Sequence, residues 1–100
     1  MKCLDDCHLY DLESMKGEHR SSIQFYKMVS PDDWIDGVTN EEVLRVLIHR
    51  LHYLNEEWMG GKFKCIENDI AIDSLRMALE QLEKRTSDRI ARKVEGTYEI

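Results

Sequence analysis

Proline is almost missing from this chain, Pro31 being its single instance, and glycine occurs only five times in 100 residues. That scarcity excludes collagen-like and Pro/Gly-rich low-complexity polymers. No apolar run approaches the ~20 residues that a membrane-spanning helix requires. The opening stretch MKCLDDCHLYDLESMKGEH lacks the apolar centre of a secretory signal, so the simplest expectation is a cytosolic chain. Cysteine is limited to Cys3, Cys7 and Cys65. An odd set makes a poor disulfide framework, and cytosolic thiols stay reduced. Cys3, Cys7 and His8 supply half of a zinc-ligand pattern, yet no second ligand pair follows, so no metal site is expected.

Positive charge is also scarce. Fourteen Lys and Arg stand against twenty Asp and Glu, for a formal net charge of −6. An acidic surface repels polyanions and anionic bilayers, so neither a DNA or RNA polymer nor a membrane is expected as partner. The few cations are unevenly spread. Between Lys84 and Lys93, five of them (Lys84, Arg85, Arg89, Arg92 and Lys93) face only Asp88, a net +4 that leaves −10 for the remainder of the chain.

What is present reads as one small α+β chain. A β segment with its connector occupies 1–38 and a helical hairpin occupies 39–100, together one compact domain. SSIQFYKMV alternates loosely and is rich in β-branched and aromatic residues, so it reads as a strand. ESMKGEH, with Gly17 at its turn, joins it to an earlier strand around Leu9 to Leu12, which gives short antiparallel pairing. SPDDWIDG reads as a connector, punctuated by Pro31 and Gly37. Trp34 within it is expected to anchor the connector onto the hairpin rather than to bind a ligand.

The rhythm changes at TNEEVLRVLIHRLHYLNEEW. Thr39 and Glu42 have capping-box spacing, and Val43, Leu44, Leu47, Leu51, Leu54 and Trp58 recur at helical intervals. Paired glycines in MGGK end this helix. A second, longer helix runs through CIENDIAIDSLRMALEQLEKRTSDRIARKV with Leu75, Ala78, Leu79 and Leu82 as its stripe, and Gly96 suits its end. The run NEEW reads as a solvated face. His49 and His52 have no carboxylate or thiol at fixed spacing and read as surface or interface histidines. Met28, Met59 and Met77 read as gap-fillers in core or interface. Neither hairpin nor sheet closes a large core by itself, so packing against another copy is expected.

On a helix Arg85 and Arg89 lie one turn apart, and two guanidinium forks at that spacing can grip a phosphate bidentately. Basic residues also favour the last turns of any helix, where they complement the dipole, and spacing alone favours that plainer reading.

Taken together, DGVTNEEVLRVLIHRL, FKCIEN and ALEQLEKRTSDRIARKVEGT resemble a family of small bacteriophage proteins. This is the Thoeris anti-defence family, whose helical-hairpin domain is shared with the second anti-CBASS protein. The resemblance covers roughly 36 to 98, and KRTSDRIARKVEGT is its most specific part. It implies a non-enzymatic sponge acting in the host bacterial cytoplasm, with no catalytic residue and no cofactor. Such a sponge binds glyco-cyclic ADP-ribose, and in some members cyclic di- or trinucleotides, without cleaving them.

By that resemblance Arg85 and Arg89 hold phosphates, Asn68 hydrogen-bonds the nucleotide and an aromatic near the inter-helix loop stacks on a base. LNEEWMGGKF is longer here than the family pattern by about one helical turn, which makes Trp58 the preferred platform and Phe63 its substitute. The resemblance also implies homodimers, or hexamers built as trimers of dimers. The competing readings are a small cyclic-nucleotide phosphodiesterase, which needs a general base and an electrophile converging on the phosphate, and a helical protein–protein interaction module.

Overall fold

The computed structural model describes residues 1–94 and the side chains of 1–92. The side chain of Lys93, and Gly96 at the expected helix end, lie outside the described residues. Antiparallel β-strands precede two helices, an α+β arrangement. The chain forms two compact units that divide between Asn40 and Glu41.

In the first unit β1 (Lys2–Leu4), β2 (Leu9–Glu13) and β3 (Arg20–Gln24) form one antiparallel sheet in that order. The β2–β3 hairpin turns at Gly17, whose φ of +74° favours glycine. Its register pairs Tyr10 with Ile23 and Leu12 with Ser21, so Tyr10, Leu12 and Ile23 share one face. Phe25 meets Tyr10 edge-on there, with ring centroids 5.7 Å apart and planes at 85°.

The single strand expected from SSIQFYKMV is two. After β3 the chain leaves the sheet, and β4 (Lys27–Ser30) pairs with β5 (Asp33–Ile35) in a separate two-stranded sheet. Residues 37–38 break the strand. Val38 bridges Phe25 in parallel, its N–H donates to the Gln24 carbonyl at 2.8 Å, and its carbonyl accepts from the Tyr26 N–H at 3.1 Å. This approach requires Gly37, because a Cβ there would fall 2.4 Å from the Gln24 carbonyl oxygen and 2.6 Å from the Tyr26 nitrogen. SPDDWIDG is therefore not only a connector, since it contains β5. Trp34, on β5, stacks on Tyr26 with centroids 5.7 Å apart.

The second unit is the hairpin of α1 (Asn40–Glu56) and α2 (Ile66–Val94), which starts and breaks near the expected signals. Thr39 immediately precedes α1. Between the helices lies a 3-10 turn over Trp58–Gly61 in which Met59, Gly60 and Gly61 all have positive φ. Trp58 belongs to this turn and not to α1. The helices run antiparallel, for Thr86 donates to Glu41 at 3.5 Å and Arg45 pairs with Glu83 at 3.5 Å near the open end. Leu44, Ile48 and Leu51 of α1 and Leu75, Leu79 and Leu82 of α2 are each only half-buried. Among the described residues Ile72 is the one buried hydrophobic side chain. Met28, Met59 and Met77 are exposed, so they fill no gap in a core of this chain.

Gly37→Ala should destabilise the first unit by about 1–3 kcal/mol, the usual cost of forcing an atom into close-packed space. Urea unfolding followed by Trp34 fluorescence is the measurement. A midpoint equal to that of the parent would contradict the close approach.

Candidate ligand-binding site

Within NEEW, Glu56, Glu57 and Trp58 are exposed, whereas Asn55 is completely buried. Its position near the end of α1 brings the amide against the start of α2, and every hydrogen-bonding capacity of that amide is used. Nδ2 donates to the Asp69 carboxylate at 2.8 Å and to Glu56 at 3.3 Å. Oδ1 accepts from the Cys65 N–H at 3.1 Å and from Asn68 Nδ2 at 3.3 Å. The Cys65 N–H belongs to the otherwise unsatisfied first turn of α2, so α1 caps α2 across the loop. Asn55 was missed in the sequence because a polar residue beside two glutamates looks like surface. Its position on the same helical side as Leu44, Ile48 and Leu51 was the available signal.

Asn68 sits within this network. Besides Asn55 it donates from Nδ2 to the Phe63 carbonyl at 3.3 Å, which ties α2 to the loop. Its amide N–H groups are thus committed within the chain. Phe63 and Trp58 stack on each other, with ring centroids 5.5 Å apart and an interplanar angle of 25°. Both remain about half exposed, at 49% and 43%. The alternatives Trp58 and Phe63 are therefore one platform in two layers. Lys62 lies over the Phe63 ring at 5.9 Å, and Lys64 pairs with Glu56, whose carboxylate keeps the Lys64 ammonium protonated to higher pH than usual.

Arg85 and Arg89 are elsewhere. They lie on the last third of α2, Arg85 exposed and Arg89 half-buried, and neither has a hydrogen-bond or ion-pair partner among the described residues. Since α2 is unbroken, the seventeen positions from Asn68 to Arg85 span about 25 Å. One chain brings Trp58, Phe63 and Asn68 together and keeps them from the two arginines. Two shallow grooves of the hairpin have other linings: one of ≈ 620 Å³ includes Val46, His49 and Tyr53, and one of ≈ 340 Å³ includes His49, His52 and Arg76. Among the described residues no group of three or more His, Cys, Asp or Glu could hold a metal ion. None of the described helices is long and apolar enough to cross a membrane.

No known protein-family profile matches the chain. It is similar to Thoeris anti-defense 1 of Bacillus phage SBSphiJ7, with 44% identity over 64 residues. The match covers 64% of this chain and 42% of that protein, so the chain spans less than half the length of the relative it matches. The resemblance read from the hairpin sequence thus has a curated homologue behind it.

Asn55→Ala should cost about 2–4 kcal/mol, because it leaves the Cys65 N–H and the Asp69 and Asn68 side chains without their shared partner. Asn68→Ala removes only peripheral bonds and should cost about 1 kcal/mol. Denaturant midpoints for the two variants, compared side by side, measure the difference. Equal losses would mean that Asn55 is not the centre of the network.

Proposed function

Starting from this kinship with the Thoeris anti-defence family, we propose that the chain serves a bacteriophage by binding and sequestering a cyclic-nucleotide immune signal without cleaving it. Glyco-cyclic ADP-ribose is the first ligand to test, and cyclic di- and trinucleotides follow. The observation that carries this reading is the division of labour along one unbroken helix. A half-exposed aromatic platform and an amide acceptor stand at its start, and guanidiniums with no partner among the described residues stand near its end. A base, a ribose and a pyrophosphate ask for those three kinds of group. Stacking contributes about 1–3 kcal/mol per base, and each charge-assisted phosphate bond about 1.5–3 kcal/mol.

The span of about 25 Å exceeds a compact cyclic dinucleotide, so a shared ligand requires the aromatic end of one copy beside the arginine end of another. A homodimer, with hexamers as trimers of such dimers, supplies two equivalent pockets by symmetry. The outward side of α2 supports this pairing. Ile66, Ile70 and Met77 recur there on one stripe, with 68%, 58% and 65% exposure, on the side of the helix away from Leu75 and Leu79. A helix C-terminus repels phosphate, so arginines are needed there, whereas the first turn of a neighbouring helix attracts it. In infected cells the work would be done in the host cytoplasm.

Calorimetric titration against the three ligand classes is the direct test. Arg85→Ala and Arg89→Ala should each weaken binding about 100-fold, roughly 2.7 kcal/mol, with the assembly size unchanged in sedimentation. Ligand released by heat should be recovered intact. Linearised product would indicate a phosphodiesterase, and undiminished affinity in the double arginine variant would refute the proposed pocket.

Mixing chains distinguishes a shared pocket from a private one. An Arg85→Ala/Arg89→Ala chain combined with a Trp58→Ala/Asn68→Ala chain, after subunit exchange, should regain binding at about a quarter of the parental site number. No recovery in exchanged mixtures would place all contacts in one copy.

A further inference from the structure

The ligand-binding reading makes no use of the first eight residues, yet their geometry is specific. The Cys3 and Cys7 sulfurs stand 2.9 Å apart. Both cysteines are free and exposed. A disulfide places its sulfurs about 2.05 Å apart, so closing this pair needs less than about 1 Å of movement.

Two features hold the thiols there. The β1–β2 register sets Cys3 directly opposite Tyr10. The turn between these strands then folds Cys7 back, because Asp5, Asp6 and Cys7 all take positive φ (47°, 50° and 68°), a region that residues with side chains seldom occupy. The His8 N–H closes the turn onto the Asp5 carbonyl at 3.0 Å, and Lys27 pins Asp5 through an ion pair at 2.9 Å.

We propose that Cys3 and Cys7 form a redox-active dithiol that reacts with low-molecular-weight disulfides of the glutathione class and closes reversibly into a Cys3–Cys7 bond. Cys7, as thiolate, attacks one sulfur of the small disulfide, forms a mixed disulfide and expels one small thiolate. Cys3 then gives its proton to water, attacks the Cys7 sulfur and expels the second small thiolate. Two protein thiols are oxidised, one small disulfide is reduced to two thiols, and no other reactant is consumed.

The order of attack follows from the surroundings. The neighbouring Cys7 sulfur, as hydrogen-bond partner, raises the pKa of the Cys3 thiol above its ordinary value, and it does the same to the Tyr10 phenol. Cys3 therefore holds its proton more firmly than an ordinary thiol, which suits it to the second, resolving step. The new bond would tie β1 to its own turn and brace the edge of the sheet.

The full chain, reduced and then incubated with glutathione disulfide, tests this by alkylation with iodoacetamide and intact mass measurement. The expected product has lost about 2 Da and takes up one alkyl group, on Cys65, where the reduced chain takes up three. Proteolysis should return a fragment in which Cys3 and Cys7 are joined. In Cys3→Ser the reaction should stop one step earlier, with glutathione retained on Cys7. A Cys65→Ser chain should oxidise like the parent. Hydrogen exchange of the β1 amides should slow at least tenfold on oxidation. Three alkylatable thiols after treatment, glutathione retained on both Cys3 and Cys7, or oxidation only between chains through Cys65 would each overturn the proposal. Unchanged β1 exchange in the bonded form would overturn the bracing role.

Discussion

The hairpin depends on one buried amide. Two helices with, among the described residues, a single buried hydrophobic side chain have little dispersion and apolar burial to hold their register. Asn55 supplies what that burial does not. It ends α1, caps α2 and holds both Asn68 and Asp69, and through Asn68 it reaches the backbone of Phe63. A buried amide with unmet capacity is destabilising, so the network tolerates one arrangement of the loop and disfavours others. The stacked Trp58 and Phe63 rings inherit their position from it.

That economy of core bears on the proposed function. A surface stripe of isoleucine and methionine on α2 is costly in a monomer and useful in an assembly. The same helix that exposes the stripe also separates the aromatic platform from the arginines. Packing and site geometry thus favour the same proposed arrangement, in which the basic segment of an otherwise acidic chain would form the anion-binding half of a pocket completed by a second molecule.

Much of the fold was legible from residue order. Apolar recurrence marked both helices, Thr39 with Glu42 marked the start of the first, and Gly60 with Gly61 marked its end. The Gly17 turn and the strand before it were equally plain. The failures share a cause. SSIQFYKMV has one continuous β signal, but a later segment inserts at Phe25 and splits it. Trp58 continued the periodicity of α1 on paper, yet the chain leaves the helix at Glu56, and Met59 and Gly60 turn left-handed. Asn55 looked like part of a solvent-facing polar run because local composition does not register a partner thirteen or fourteen residues away.

Local energetics are written in the sequence itself. Periodicity, capping spacing and glycine placement marked the helices and the turns, and the resemblance to the anti-defence family named the candidate contacts. Tertiary structure decided which polar side chain would be buried, which aromatic rings would stack and which thiols would meet. The buried amide and the close backbone approach depend on residues well separated in the chain, Asn55 with Asp69 and Gly37 with Gln24, while the rings and the thiols meet through the particular backbone path of a short turn, and a periodic pattern encodes neither.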